Sequence, residues 1–341
     1  MNKKVEIIAE AGVNHNGELN LAKQLIIEAA KAGADVIKFQ TFNASKLVSE
    51  NADLAEYQKK ASKINNTSQL QMLKKLELKT EWFPELIELS KSHQIDFCST
   101  AFDIESLDFL LGYNIPFIKI ASGEITNLPF LEYIGSLNKK TILSTGMSTL
   151  HEVVEAKNIL LKSGMDLTNL YILHCNTEYP TPFEDVNLFA MLQIKELVCP
   201  QVGYSDHTLG IEVPVAAVAL GAIIIEKHLT LDKSLEGPDH QASLNPIEFK
   251  NMVEAIRNIE MALSGNGKKE PSKSEIKNIN VARKSLHYAS NLLKGNSVNK
   301  NNFEVKRPGN GISAMDIMKL EGKILNKNVL KGQLVNYSDF I

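Results

Sequence analysis

The sequence predicts an α/β protein, with a (β/α)8 TIM barrel over residues 1–263, a linker over 264–280 and a small β-rich module over 281–341. Three observations carry that expectation. Eight short, apolar, β-branched runs recur up to residue 228, helical patterns lie between them, and a Gly-, Lys- and Ser-rich stretch separates this body from a tail of strand-like pieces. Buried strands that alternate with helices form a parallel sheet, and eight such units in about 250 residues close into a barrel. An open, doubly wound sheet is the competing topology, but no run is followed by a G-x-G-x-x-G turn.

The runs are VEIIAEAG (5–12), DVIKFQTF (35–42), DFCSTAF (96–102), FIKIASGE (117–124), TILSTGM (141–147), LYILHCN (170–176), QVGYSDH (201–207) and AIIIEKH (222–228). After the first, Leu21, Leu25, Ile26 and Ala29 share one helical face, and Gly33 ends the helix. Thr149 and Glu152 form a T-x-x-E capping box at the head of VVEAKNILLKSG. The region 43–80 is longer than a barrel connection needs and is expected to form a flap over the mouth. IEFKNMVEAIRNIEMALSG supplies the last barrel helix and GNGKKEPSKSE the linker. SVNKNNFEV, KRPGNG and QLVNYS belong to a module small enough to need support from the rest of the protein.

Composition narrows the function classes. With 44 % hydrophobic and 23 % charged residues among 341, the chain can bury a sizeable core. No apolar run approaches the roughly 20 residues of a membrane span, and MNKKVEIIAEAG contains no secretory h-region, so a cytoplasmic protein with no membrane partner is expected. Cys98, Cys175 and Cys199 show no CxxC spacing, which argues against a disulfide framework and a cysteine zinc site. The net charge of −3 hides a basic tail, with 14 Lys and Arg against 6 acids over 265–341. A basic lobe can grip nucleic acid, but no RNA motif or helix-turn-helix accompanies it. Docking of the lobe on the acidic body is preferred, and nucleic acid is not expected as a partner.

Each run ends in polar or ionisable residues: Glu10, Lys38 with Gln40, Thr100, Lys119 with Ser122 and Glu124, Ser144, Asn176, Ser205 with Asp206 and His207, and Glu226 with His228. In a barrel these ends converge on one mouth, where active sites are built. His207 and His228 end adjacent strands, and two neutral imidazoles without a cysteine suit Mn²⁺, Zn²⁺, Co²⁺ or Mg²⁺. Lys38 and Lys119 bring ammonium charge and Thr100, Ser122, Ser144 and Ser205 bring hydroxyl donors to one place, and only donors can satisfy the oxygens of a phosphate or carboxylate, so an anionic ligand is expected. Either lysine could instead form a Schiff base with a carbonyl substrate, as a metal-free aldolase does. His15, His174 and His240 are read as structural or supporting residues.

The strings IIAEAGVNHNG, IKFQTF, SGE (122–124), LSTGM, LHCNTEYPTPFEDVNL, GYSDHTLG, IEKHLTLDKSLEGPDHQAS and KRPGNGISAM closely resemble the sialic acid synthase family, the phosphoenolpyruvate-condensing nonulosonate synthases. The resemblance covers nearly the whole chain. It implies a TIM barrel joined to a C-terminal SAF, or antifreeze-like, domain, in a homodimer whose tails cover the partner's active site. It also implies condensation of phosphoenolpyruvate with an N-acetylated mannosamine, N-acetylmannosamine in the first reading, to give N-acetylneuraminate and phosphate with a divalent metal, Mn²⁺ before Mg²⁺ or Co²⁺.

Carried over by position, the resemblance makes Lys38, Thr100, Lys119, Ser122, Ser144, Asn176 and Ser205 phosphoenolpyruvate-binding residues and His207 and His228 the metal ligands. It sets Glu10, Gln40, Glu124, Tyr179 and Asp239 near the amino sugar, and has Arg307 of KRPGNG reach its N-acetyl group. Glu10 or Glu124 is expected to move protons during the reaction. Where many relatives read STPF, this chain reads STAF, so Ala101 lacks a proline's constraint beside Thr100. SGEITNLP, SQLQMLKKLEL and AEYQ look equally like N,N'-diacetyllegionaminate synthases, which take a 6-deoxy-2,4-diacetamido mannose, and this is the alternative reading of the sugar. A non-catalytic binding protein is the non-enzyme alternative.

Overall fold

The structure, a computed structural model, describes residues 4–49, 52 and 68–341. The middle of the expected flap lies outside the described residues; on either side of it are short helices, Ala44–Leu47 and Gln69–Leu76. The chain divides into two units, Met1–Ser264 and Gly265–Ile341.

In the first unit the eight runs become eight strands: β1 (Glu6–Gly12), β2 (Val36–Thr41), β3 (Asp96–Ala101), β4 (Ile118–Ile120), β5 (Thr141–Ser144), β6 (Leu170–Cys175), β7 (Val202–Asp206) and β8 (Ile224–His228). They form one sheet in the order β3-β2-β1-β8-β7-β6-β5-β4, with every paired neighbour parallel. The two end strands also meet, because the Cys98 thiol donates to the Phe117 carbonyl at 3.4 Å and both side chains share one interior cluster. The sheet thus curls into the (β/α)8 barrel-like form that the alternation of runs and helices predicts.

Strand alternation builds the interior in layers, since residues two apart point the same way. Ile8, Val36, Cys98, Phe117, Ile142, Leu173 and Ile224 fill one apolar layer inside. Two residues further along the same strands come Glu10, Lys38, Thr100, Lys119, Ser144, Cys175 and Glu226, all buried. The polar ring is therefore one step of the pleat above an apolar plug. β7 reaches this layer differently: a Cβ on Gly203 would lie 2.4 Å from the Ile224 carbonyl and 2.6 Å from Leu173 Cδ2, so only glycine fits between them. Ser205 then takes its place in the polar ring.

Helices cover the outer face. Leu19–Ala32 stops where Gly33 adopts φ 87° and buries Leu25, Ile26 and Ala29, as the periodicity predicts, but Leu21 stays half-buried and Ala22 takes its place on the inner face. Both bonds of the Thr149–Glu152 capping box form at the head of Leu150–Lys162. Pro246–Ala262 is the last helix of this unit.

In the second unit β9 (Ser285–Tyr288) pairs antiparallel with β10 (Phe303–Lys306). Leu286, Tyr288, Val298, Phe303, Ile312, Leu320, Leu325, Val329 and Val335 form its own small core. The stretch read as linker is not plain coil: Lys273–Ala282 is helical, started by a Ser272–Glu275 capping box that turn-rich composition concealed.

Candidate active site

The strand ends of the first unit enclose a cavity of about 650 Å³. Eleven of the sequence-predicted residues line it: Glu10, Lys38, Gln40, Thr100, Lys119, Ser122, Ser144, Tyr179, Ser205, His207 and His228. Glu226, a ring member with no role assigned from sequence, lines it as well.

Charges at the cavity floor interlock. Lys38 Nζ lies 2.5 Å from Glu10 Oε2 and 3.6 Å from Glu226 Oε2, and donates to Thr100 Oγ1 at 2.9 Å. Lys119 Nζ lies 3.5 Å from Glu226 Oε1, which also accepts from Ser205 Oγ at 3.0 Å. Burial would raise Glu226, but the Lys119 and Lys38 ammoniums outweigh it and pull the carboxyl down to about 2. Burial wins at Glu10, which rises to about 7 against the pull of Lys38. Burial works against the Lys38 charge, yet Glu10 and Glu226 hold its pKa above the usual lysine value. Lys119 has weaker support, and burial lowers it. Two carboxyls of the same type are thus driven apart, one fixed as an anion and one poised near neutrality.

His207 and His228 lie side by side, with ring centroids 5.3 Å apart, and Tyr179 packs against both at 4.0 and 5.6 Å. His207 Nδ1 bonds to the Asn176 carbonyl, which assigns the proton to that nitrogen and leaves the Nε2 lone pair available. His228 Nδ1 is buried with no hydrogen-bond partner among the described residues, 3.8 Å from Asp239 Oδ2. Burial lowers His207 to about 4, and burial together with His207 takes His228 well below its usual value, so both rings are neutral. Neutral imidazoles with free lone pairs fit a borderline divalent cation. Among the described residues no group of three His, Cys, Asp or Glu side chains converges on one point, so water and substrate oxygens would complete such a site.

Four predicted residues stand apart from this lining, and Asp206 leaves the ring. β4 ends at Ile120 and Ser122–Glu124 winds into a turn of 3₁₀ helix, which directs the Glu124 carboxylate to Asn127 Nδ2 at 2.6 Å instead of into the cavity. The Asn176 side chain faces a neighbouring cavity of about 350 Å³ and accepts from the Glu178 amide at 2.8 Å, while Thr177 lines both cavities. Asp239 sits behind the lining: a Cβ on Gly12 would meet Glu10 Oε1, Gln40 Nε2 and Asp239 Oδ2 at 3.3, 3.4 and 3.5 Å. Burial and the nearby Glu10 raise Asp239 to about 7. Arg307 is exposed in the second unit, where its Nε donates to the Ala282 carbonyl at 3.0 Å. Asp206 has the opposite strand parity from Ser205 and pairs with Lys227 outside the ring. The signal for Glu226 was available: it stands two residues before His228, on the same face of β8.

The supporting histidines are tied to backbone and hydroxyl groups. His240 Nδ1 bonds Thr230 Oγ1 at 2.7 Å, His174 Nε2 bonds the Val186 carbonyl at 2.9 Å, and His15 Nδ1 accepts from the Gly17 amide at 3.0 Å.

Comparison with known proteins places these residues in a family. The chain is 53 % identical to N,N'-diacetyllegionaminic acid synthase of Campylobacter jejuni over 98 % of this chain and 99 % of that one. It is 46 % identical to the enzyme of the same name from Legionella pneumophila, over 96 % and 92 %. Its fold resembles the crystal structure of N-acetylneuraminic acid synthetase from Leptospira borgpetersenii, with a TM-score of 0.71 and 38 % identity over 82 % of this chain and 91 % of that one. The sequence profile of the NeuB family matches residues 25–269, and the chain belongs to that family.

Proposed function

We propose that this protein is a phosphoenolpyruvate-dependent nonulosonate synthase that makes N,N'-diacetyllegionaminate from 2,4-diacetamido-2,4,6-trideoxymannose. The observation that carries the reaction class is the floor of the cavity, where Lys38 and Lys119 stand among the hydroxyls of Thr100, Ser122, Ser144 and Ser205 beside two neutral imidazoles. The choice of sugar follows the two diacetyllegionaminic acid synthases among the relatives and displaces N-acetylmannosamine, the first reading of the sequence.

Lys38 and Lys119 supply charge, and the hydroxyls directional donors, to the phosphate and carboxylate of phosphoenolpyruvate. Holding it against the open-chain sugar makes the encounter of carbon 3 with the aldehyde carbon a local event. Carbon–carbon bond formation leaves positive charge at carbon 2; water adds there, and the carbon–oxygen bond to phosphate then breaks, leaving the 2-keto acid and inorganic phosphate. Glu10 is the residue that gives its proton to the forming hydroxyl and takes one back from the adding water, its orientation supported by Gln40 Nε2 at 3.3 Å. A divalent cation, Mn²⁺ first and Mg²⁺ or Co²⁺ next, held by His207 and His228 would supply Lewis-acid polarisation of the aldehyde oxygen. The second unit is read as a SAF module that covers the partner's site in a homodimer, with Arg307 directed to an N-acetyl group.

Phosphate release from phosphoenolpyruvate, measured with each candidate sugar and with or without EDTA, tests this reading. Release with the diacetamido sugar, weak release with N-acetylmannosamine and loss with EDTA are expected. Release with pyruvate-type aldol chemistry, trapped by borohydride and indifferent to EDTA, would replace it with the Schiff-base mechanism.

A further inference from the structure

The strand alternation that aims Ser205 and Glu226 into the cavity aims Asp206 and Lys227 to the opposite face, where they meet. They are register partners on β7 and β8, both 0 % exposed, and Lys227 Nζ donates to Asp206 Oδ2 and, at 2.5 Å, to the Thr208 carbonyl. The other carboxylate oxygen accepts from the Thr208 amide at 3.1 Å and the Thr208 hydroxyl at 2.9 Å. Thr208 is itself fully buried.

Burying such a pair seldom adds stability over apolar side chains of equal volume, so its presence calls for another account. What its directional bonds fix is the placement of one strand end against the other. Those ends carry His207, between Asp206 and Thr208, and His228, directly after Lys227. His207 has a second anchor in the Asn176 carbonyl, whereas His228 Nδ1 has no hydrogen bond among the described residues. On its other edge β8 is held by β1, where His228 is the register partner of Glu10, so the spacing of His228 from His207 is what the β7–β8 contact sets.

We propose that the buried Asp206–Lys227 pair, clamped by Thr208, is a positioning device that holds the His207 and His228 imidazoles at the spacing one divalent cation needs. The inference rests on the cation reading above. With two protein ligands among the described residues, such a site has no third side chain there to correct a shift between strands, and outer-sphere anchors then govern affinity.

The test is Co²⁺ binding by titration calorimetry, alongside thermal unfolding, for the full-length wild type, the Asp206→Leu/Lys227→Met double variant and Thr208→Val. The double variant is expected to unfold near the wild-type temperature yet bind Co²⁺ about tenfold or more weakly, with a loss beyond about twofold for Thr208→Val. A purely structural pair would move the unfolding temperature and leave the affinity alone. Co²⁺ affinity within about twofold of wild type in a folded double variant overturns the proposal; should that variant not fold, unchanged affinity in Thr208→Val does so. A wild-type protein that binds no Co²⁺ overturns the cation reading and this inference with it.

Discussion

Replacing Lys38 by Met removes the cation that two buried carboxyls share. At an effective dielectric of about 20, an ammonium attracts a carboxylate at 2.5 Å by about 7 kcal/mol and one at 3.6 Å by about 5 kcal/mol, the separations of Glu10 and Glu226. Dehydration of Lys38 offsets several kcal/mol of that, and leaving the carboxyls unpaired should cost about 3–5 kcal/mol at neutral pH. Glu226 keeps Lys119 at 3.5 Å, so the exposed weakness is Glu10. Its folded pKa is already lifted by burial from 4.5 to about 7, and losing Lys38 lifts it further. The folded state then binds more protons than the unfolded state above 4.5, so stability falls as pH rises through that window. Urea denaturation of both proteins at about pH 5 and pH 8 measures this, with the smaller loss expected at the lower pH. An equal loss at both values, or one under about 1 kcal/mol at pH 8, refutes the charge network as described.

Glu10→Gln should lower turnover by about a hundredfold with little change in substrate KM, whereas Glu124→Gln, whose carboxylate bonds Asn127, should stay within a few-fold of wild type; steady-state phosphate release distinguishes them. Replacing both His207 and His228 by Ala should abolish Co²⁺ binding in calorimetry while the protein still unfolds cooperatively. Gly203→Ala forces a methyl to 2.4 Å from the Ile224 carbonyl and should destabilise the protein by about 1–3 kcal/mol or more, read as a lower unfolding temperature.

The barrel was legible because each strand is a dense apolar run and each run stops at polar residues. β1, β2 and β8 begin one or two residues inside the predicted runs, and the ring of strand-end side chains is where those runs end. Legibility failed where the chain leaves regular geometry. Once β4 turns into a 3₁₀ helix at Ser122, alternation no longer says where Glu124 points. At the end of β6, Asn176 departs from the strand direction and Thr177 faces the cavity. Asp206 failed for a different reason: it lies among polar ring residues in the sequence, and only parity separates it from them. The helix at Lys273–Ala282 was hidden by a composition rich in turn-formers, which its capping box overrides.

Glu10 and Glu226 carry the same sequence signal, a carboxyl near the end of an apolar run, and only their neighbours separate them. Glu226 faces both ammoniums and the Ser205 hydroxyl, so its negative charge is held. Glu10 faces one ammonium, shares the remaining space with Gln40 and Asp239 around Gly12, and gains less from ionising. Two lysines and two ionised carboxylates sum to no net charge, a poor receptor for an anion. Protonating Glu10 alone makes the floor cationic while Lys38 remains charged against Glu226. A ligand bearing phosphate and carboxylate selects that state, so the proton is on Glu10 when such a substrate arrives, at the residue proposed to exchange it with the reacting oxygen.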